Sequence, residues 1–210
     1  MRKIKFGIAR GMFLPINRRT NLRPETGLFE RPIASHVARL ARGAQVSYDI
    51  GAERGYYTLA LVNLGVPAVF AFDADPARVA ELRQTLDANR IGHRVTVIEG
   101  RVGSDAKTSS NLDELAETGA ILPPDLVKMD IDGAEYEALL GMSAVISKRH
   151  PAFVIEVHTR ELEDLCATFL RSRSYSVRVV DASRIERLLL PELRTAPGIT
   201  HNRWLVAEWV

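Results

Sequence analysis

The sequence has few of the features that would place it outside the cell or in a membrane. It contains a single cysteine, Cys166, which excludes an intramolecular disulfide and fits a reducing compartment. It lacks any run of about eighteen apolar residues, so we expect no membrane-spanning helix. The charged start at Met1 lacks the apolar run and small-residue cleavage site of a secretory signal peptide. We therefore expect a cytoplasmic protein.

Internal repeats and low-complexity tracts are absent as well, and the composition is that of a globular chain. The 210 residues, of which 46% are hydrophobic, are enough for one domain with a large core. Basic residues are concentrated at one end, since residues 1–45 hold ten Lys or Arg but two Glu, while the whole chain has a net charge of +2. We divide the chain into a basic N-terminal arm or lid with one helix, residues 1–45, and a main domain, residues 46–210. Such an arm either binds an anionic partner or is a solvated tail.

Apolar residues and turn formers follow one another in a way that predicts strands and helices in regular succession. The predicted strands of the main domain cover residues 46–50, 68–72, 95–98, 126–129, 152–157, 176–180 and 204–209. The predicted helices cover residues 32–41, 57–64, 76–89, 112–117, 136–147 and 161–171, and apolar pieces at 4–8 and 12–14 are expected to form a hairpin. Repeated strand–helix units require a mostly parallel sheet with helices on both faces, and the last two strands are expected to form an antiparallel hairpin. The predicted fold class is α/β.

One stretch joins a buried strand to a helix through two glycines: Asp49-Ile50-Gly51-Ala52-Glu53-Arg54-Gly55. Turns of this type bring backbone N–H groups close to a small ligand. The spacing differs from the G-x-G-x-x-G of dinucleotide sites and suits S-adenosylmethionine (SAM), which has no pyrophosphate. Asp49 is placed to accept a hydrogen bond from a cationic group. The candidate cofactor-binding residues here are Asp49, Gly51, Gly55 and Thr58. The alternative is an ordinary turn that binds nothing.

Further polar residues follow the other predicted strands, and parallel sheets bind ligands beyond the carboxyl ends of their strands. Asp73 ends the next strand, about twenty residues after the glycine turn, where a carboxylate accepts both hydroxyls of an adenosine ribose. Asp75 is expected to cap the helix that begins at Pro76. Gly100 and Arg101 follow the third strand and would flank the adenine. The alternative for this pair is an ordinary loop with a solvated arginine.

Three segments together resemble the motifs of the FkbM-type family of SAM-dependent methyltransferases. They are Asp49-Ile50-Gly51-Ala52-Glu53-Arg54-Gly55-Tyr56-Tyr57-Thr58-Leu59, Ala71-Phe72-Asp73-Ala74-Asp75-Pro76 and Val127-Lys128-Met129-Asp130-Ile131-Asp132-Gly133-Ala134-Glu135. The resemblance implies a Rossmann-like sheet of seven strands with SAM as cofactor. It also implies methyl transfer to a hydroxyl oxygen, usually of a sugar, polyketide or other natural product. Two residues depart from the family's pattern, because Glu53 stands where Asn is usual and Asp132 where Glu is usual.

A hydroxyl nucleophile has to lose its proton, so the site is expected to hold a general base or a metal ion. We predict His158 as the base because imidazole titrates near neutral pH, and the alternative is a structural histidine at a strand end. Asp130 and Asp132 are the other candidate catalytic residues, and Asp130 is also a candidate for cofactor binding. A second option, not favoured here, is Mg²⁺ held by Asp130 or Asp132 with Glu156. Glu135 is expected to cap the following helix.

Three functions are compatible with these residues. The first is a SAM-dependent O-methyltransferase for a small hydroxylated acceptor, with an anionic acceptor suited to the basic arm. The second is an RNA 2′-O-methyltransferase, although no aromatic-rich RNA platform is visible and a nucleic-acid partner is disfavoured. The third is a non-catalytic SAM-binding scaffold, which the extra charge of Glu53 would favour. Cys166 is expected to pack in the core. Trp204 and Trp209 are expected to pack against the sheet or a partner subunit, which leaves a homodimer open.

Overall fold

The centre of the protein is a seven-stranded sheet, seen in a computed structural model that describes residues 1–16, 23–26, 31–105, 109–181 and 203–210. The strands are β1 (Arg2–Lys3), β2 (Phe13–Leu14), β3 (Val46–Ile50), β4 (Ala68–Asp73), β5 (Val95–Glu99), β6 (Leu126–Met129), β7 (Ala152–Val157), β8 (Tyr175–Val180) and β9 (Arg203–Trp209). The helices are α1 (Arg23–Thr26), α2 (Arg31–Leu40), α3 (Tyr56–Asn63), α4 (Pro76–Asn89), α5 (Leu112–Glu117), α6 (Glu135–Leu140), α7 (Ser143–Arg149) and α8 (Arg160–Arg171). A short 3₁₀ helix, Gly92–Arg94, precedes β5.

The order of the strands in the sheet is β5-β4-β3-β6-β7-β9-β8. The first five strands are parallel, and β9 is antiparallel to both of its neighbours. This confirms the predicted α/β fold with a seven-stranded, mostly parallel sheet and a C-terminal antiparallel hairpin. The strand order reverses at β3, which has β4 on one side and β6 on the other. A ligand crevice opens at such a switch point, beyond the carboxyl ends of the strands. The loop predicted at 183–200 lies outside the described residues.

The central strands are buried on both faces, which explains their nearly continuous apolar runs. On one face, α2, α3 and α4 pack on a cluster that includes Leu61 and Trp204. On the other face, α5, α6, α7 and α8 pack on a cluster that includes Tyr48 and, as predicted, Cys166. Trp204 therefore packs against the sheet, whereas Trp209 is half exposed and stacks on the ring of His150, with 4.1 Å between the ring centroids.

The helix predicted at 136–147 is in fact two helices, α6 and α7, and the single-helix prediction was wrong. The chain leaves the helix at Gly141, where a Cβ would lie 2.2 Å from the carbonyl oxygen of Gly103. A distant loop thus occupies the space that a side chain would need. The Asp113 carboxylate then accepts hydrogen bonds of 2.9 and 2.8 Å from two backbone N–H groups in the first turn of α7. This contact starts the new helix.

The N-terminal hairpin is also different from the prediction of strands at 4–8 and 12–14. Arg2–Lys3 pairs with Phe13–Leu14 in antiparallel register, and each strand has only two residues. The chain reverses through Gly7 and Gly11, whose positive φ values of 80° and 95° interrupt an extended backbone. The other predicted helices and strands match their predicted bounds within one residue, whereas α1 and the 3₁₀ helix were not predicted. Among the described residues, no helix is long and apolar enough to cross a membrane.

The contact between Asp113 and α7 predicts a stability effect. In an Asp113→Ala variant, two backbone N–H groups of α7 lose their acceptor, and we expect the free energy of unfolding to fall by about 1–2 kcal/mol. Urea denaturation measures this loss. The matched control is Asp164→Ala, which removes an exposed carboxylate that pairs with Arg160 on the surface of α8 and should cost less than about 0.5 kcal/mol. Equal losses in both variants would contradict the capping role.

Candidate functional site

The site is built around Gly51, the residue that follows β3 at the switch point. Its φ is +82°, and a Cβ at this position would lie 1.7 Å from the carbonyl oxygen of Asp130. The backbone N–H groups of Gly51 and Ala52 both donate to the carbonyl oxygen of Phe72, each at 2.9 Å. The turn is thereby fixed over the ends of β4 and β6.

The second glycine of the predicted turn, Gly55, precedes α3 and has a φ of +94°. A Cβ on Gly55 would lie 2.6 Å from Cδ1 of Leu82 on α4. Gly55 thus lets the turn pack closely on α4. Gly55 is not one of the described residues that line the two cavities next to the turn.

Two cavities lie on either side of the turn, and both are lined by Gly51 and Asp130. The larger cavity, of about 380 Å³, lies beyond the ends of β4, β5 and β6 and has the volume of a small-molecule site. The smaller, of about 70 Å³, lies between the turn and the N-terminal segment. Its wall includes Leu14, Pro15, Ile16 and Pro24. An elongated ligand that passes Gly51 would reach from one cavity into the other.

The larger cavity brings together three residues predicted to bind adenosine, namely Asp73, Gly100 and Arg101. The Asp73 carboxylate is buried at the end of β4 and accepts hydrogen bonds from the backbone N–H groups of Glu53 (2.7 Å) and Asp75 (2.9 Å). Each carboxylate oxygen thus holds one backbone donor and keeps further acceptor capacity. Asp75 caps α4 as predicted, because its side chain accepts from Ala77 N–H at 2.8 Å.

Glu53 departs from the family's pattern, and the structure shows where its charge lies. The residue has a φ of 47° in the turn, and its side chain is 55% exposed. Its carboxylate forms a 3.1 Å ion pair with Arg78 of α4. The extra negative charge is therefore partly balanced at the surface.

The smaller cavity holds Asp49 of β3, whose side chain is buried. The Thr58 hydroxyl, which is buried in α3, donates a 2.6 Å hydrogen bond to Oδ2 of Asp49. Thr58 is not one of the described residues that line either cavity. It contributes to this site by orienting the Asp49 carboxylate. Burial raises the pKa of Asp49 to about 6 from an ordinary 3.8, although the charge of Lys128 and the Thr58 hydrogen bond oppose the rise and Asp130 adds to it.

Lys128 is a site residue to which the sequence analysis gave no role. It lies in β6, is 2% exposed, and lines the smaller cavity with Asp49 and Tyr57. Its ammonium nitrogen is 3.3 Å from Oδ2 of Asp130 and 4.6 Å from the centre of the Tyr57 ring. The signal was present in the sequence, since a lysine within a buried apolar strand needs an anionic partner.

His158, at the end of β7, is surrounded by four carboxylates. Its Nε2 lies 3.6 Å from Asp130, 3.5 Å from Asp132 and 3.8 Å from Glu156, and its Nδ1 lies 3.2 Å from Glu135. The three residues predicted to be catalytic, His158, Asp130 and Asp132, are therefore in one cluster. Asp130 and Asp132 also line the larger cavity, so the cluster borders it directly.

The charge around His158 bears on its predicted role as a general base. Burial by itself lowers the pKa of His158, but the hydrogen bond to Glu135 and the charges of Asp130 and Glu156 raise it to about 9. The surrounding carboxylates therefore favour the protonated form of the imidazole. A protonated imidazole has no lone pair for the acceptor's proton, which argues against the base role in this state.

Glu135 does not cap α6 as predicted. Ala134 is the residue before the helix, and its side chain makes no capping hydrogen bond. Glu135 is fully buried instead, and its Oε1 lies near His158 Nδ1 and accepts a 3.1 Å hydrogen bond from the Gly133 N–H. A glutamate at the start of a helix predicts a capping role from the sequence. In the structure, the contact with His158, which is distant in the chain, determines where the Glu135 carboxylate lies.

Comparisons with known proteins identify methyltransferases and a SAM-related enzyme. A family model described as the Methyltransferase FkbM domain matches residues 103–181. A curated relative, the carboxy-S-adenosyl-L-methionine synthase of Chromohalobacter salexigens, is 28% identical over 155 residues, which are 71% of this chain and 57% of the relative. The predicted resemblance to FkbM-type methyltransferases is confirmed, and these matches support the prediction of a SAM-dependent methyltransferase.

Solved structures of methyltransferases have the same fold. Methyltransferase FkbM from Methylobacillus flagellatus matches with a TM-score of 0.59 and 21% identity over 77% of this chain and 43% of that one. An O-methyltransferase from Bacillus cereus, solved in complex with SAH, matches with a TM-score of 0.58 and 14% identity over 84% of this chain and 81% of that one. The chain thus spans little more than half of the curated relative and less than half of the FkbM structure.

The raised pKa of Asp49 predicts how stability depends on pH. Asp49 loses its proton near pH 4 in the unfolded chain but keeps it to about pH 6 in the folded protein, so the stability falls as the pH rises through this window. Relative to an Asp49→Asn variant, the wild type should lose about 3 kcal/mol of unfolding free energy between about pH 4 and 7. Urea denaturation of both proteins across this range measures the difference. Parallel pH profiles would contradict the buried, protonated state of Asp49.

Proposed function

We propose that this chain is a SAM-dependent O-methyltransferase whose acceptor is a hydroxyl group of a small molecule. The observation that carries the proposal is the pair of cavities that meet at Gly51 and Asp130. SAM has a nucleoside at one end and an amino acid at the other. The two cavities provide matching chemistry for these two ends.

The larger cavity suits the adenosine. Asp73 has its carboxylate fixed by two backbone donors, and both of its oxygens retain capacity to accept from the ribose hydroxyls. Gly100 and Arg101 follow the neighbouring strand and provide a backbone wall for the adenine. The name of the curated relative, a carboxy-S-adenosyl-L-methionine synthase, agrees with a ligand of this class.

The smaller cavity suits the amino-acid end because it contains buried charges of both signs. Asp49 faces the cavity as an acceptor for an ammonium group, and Lys128 faces it as a donor to a carboxylate. An incoming ammonium would lower the pKa of Asp49 and stabilise its ionised form. The N-terminal segment would close this end of the ligand, since four of its residues form part of the cavity wall. This is the lid role expected for the arm.

The cluster around His158 lies where the acceptor would approach. SAM, when bound, supplies a methyl group on a sulfonium, and transfer breaks the carbon–sulfur bond as the acceptor oxygen forms a new bond to carbon. The acceptor's hydroxyl proton has to leave in the same process, so the products are a methyl ether, S-adenosylhomocysteine and a proton. Asp130 and Asp132 border the larger cavity and orient the hydroxyl through hydrogen bonds. The small-molecule acceptor class rests on the FkbM resemblance.

The proposal predicts SAM binding that depends on Asp73. Isothermal titration of the purified chain with SAM and with S-adenosylhomocysteine should give saturable binding. An Asp73→Asn variant should bind each about 10- to 100-fold more weakly, because a charged acceptor for the ribose is lost. The matched control is Glu99→Gln, which changes an exposed carboxylate opposite Asp73 on the neighbouring strand end and should leave the affinity unchanged.

The reaction is then tested with radiolabelled SAM against hydroxylated sugars, polyketides and sugar acids, with RNA as a separate arm. Label transferred to a small hydroxylated acceptor is the expected result. Label transferred to RNA alone, together with RNA binding that weakens steeply with salt, would show that the acceptor is a nucleic acid and not a small molecule. Tight SAM binding without transfer to any acceptor would indicate a scaffold. Absence of SAM binding in the wild type would overturn the proposal.

A further inference from the structure

We propose that Asp130, Glu156 and His158 form a binding site for a divalent metal ion at the border of the larger cavity. The site's role in methyl transfer rests on the proposed function, but the binding of the ion does not. From the sequence, Mg²⁺ held by Asp130 or Asp132 with Glu156 is a second option behind a general base, and His158 is not among its predicted ligands. The geometry points to His158 as a ligand.

The three residues offer ligand atoms at suitable separations. One atom from each of Asp130, Glu156 and His158 lies within 4.8 Å of the others. Nε2 of His158 is 3.6 Å from Oδ1 of Asp130 and 3.8 Å from Oε1 of Glu156. Atoms bonded to one ion at about 2.1 Å lie roughly 3–4.2 Å apart, so small side-chain movements suffice to bind it.

The histidine is oriented from behind by a buried carboxylate. Glu135 is fully buried, and its Oε1 lies 3.2 Å from Nδ1 of His158. The backbone N–H of Gly133 donates to the same oxygen and holds it in place. When an ion displaces the proton from Nε2, the imidazole still donates through Nδ1–H to Glu135 and presents the lone pair of Nε2 towards Asp130 and Glu156. Such a carboxylate–histidine pair is the usual support of a histidine metal ligand.

Glu156 is held in a similar way. It lies opposite Trp204 in the pairing of β7 with β9, and the indole Nε1–H of this buried tryptophan donates a 3.0 Å hydrogen bond to Oε2. The second oxygen, Oε1, is the one that faces His158. His158 and Glu156 are therefore each fixed by a buried partner through one polar atom. Their other polar atoms, Nε2 and Oε1, face each other at the proposed ion site. An ordinary cluster of surface acids has no such support.

The balance of charge also favours a cation. Four carboxylates surround one imidazole, and Oε2 of Glu135 is buried without a hydrogen-bond partner among the described residues. Lys128 contributes a positive charge on the far side of Asp130, through the other carboxylate oxygen. Buried carboxylates are costly unless paired, and a divalent ion between them would provide the missing charge.

The ligand set suggests which ion binds. Two carboxylates and one imidazole are a mixed oxygen–nitrogen ligand set. Such a set suits Mn²⁺ better than Mg²⁺, because Mg²⁺ prefers ligands that are all oxygen. Asp130 is partly exposed to the cavity, so positions on the ion would stay open on the cavity side. An ion here would lower the pKa of an acceptor hydroxyl and orient it. His158 then acts as a ligand, and no protein base need contact the acceptor.

Mn²⁺ alone is the probe for this site. The purified full chain is treated with a chelator, desalted and titrated with Mn²⁺, and free Mn²⁺ is followed by electron paramagnetic resonance. We expect saturable binding of one ion per chain. Glu156→Gln and Asp130→Asn should each weaken binding by more than about 100-fold, and Glu135→Ala by about 10- to 100-fold, since Glu135 supports a ligand without contacting the ion. Asp130 is partly exposed, so its variant should fold even if a buried substitution does not.

The matched control is Glu161→Gln, an exposed carboxylate at the start of α8, which should bind Mn²⁺ as the wild type does. Wild-type protein that fails to bind Mn²⁺ at millimolar concentration, or an Asp130→Asn variant that binds it normally, would overturn the metal site. The assay contains no SAM and no acceptor, so its failure is separate from that of the proposed function. SAM binding and methyl transfer that persist without any metal would leave the methyltransferase assignment in place and reject the ion's role in catalysis.

Discussion

The close approach of Gly51 to the carbonyl oxygen of Asp130 is the constraint on which the rest of the site depends. A Cβ in this gap would lie 1.7 Å from that oxygen, so any side chain would push the turn away from β6. The same turn is tied to β4 through two hydrogen bonds to Phe72. Both cavities share this contact as a wall. The position of Asp73, Asp49 and Asp130 relative to one another therefore follows from a glycine that allows two neighbouring strand ends to meet.

Asp130 links the two halves of the site electrostatically. One of its oxygens faces Lys128 at 3.3 Å, beside the smaller cavity, and the other faces His158 at 3.6 Å, in the carboxylate cluster. A change of charge in either half of the site therefore alters the electrostatic potential in the other half through the Asp130 side chain. Such sharing explains how a buried lysine and a cluster of four carboxylates coexist a few ångströms apart. In the proposed function, this sharing would place the acceptor chemistry next to the cofactor rather than in a separate pocket.

The sequence predicted most of the fold because buried parallel strands have apolar runs and glycine turns between them. It predicted most of the polar residues that meet at the candidate site, since polar residues after parallel strands lie at one edge, but Gly55 and Thr58 do not line its cavities. It did not predict what those residues contact. The break between α6 and α7 depends on Gly103, which is distant in the chain, and the role of Glu135 depends on His158 across the fold. Lys128 was visible as a charge in an apolar strand, but its partners come from other elements.

The most direct test of this account is a crystal structure of the protein with S-adenosylhomocysteine. In that structure, the ribose hydroxyls should contact the carboxylate of Asp73, and the adenine should lie against Gly100 and Arg101. The ammonium and carboxylate of the ligand should lie next to Asp49 and Lys128, with the ligand's sulfur beside Gly51. A ligand bound elsewhere, or one whose amino-acid end points away from Lys128, would contradict the claim that the two cavities form one cofactor site.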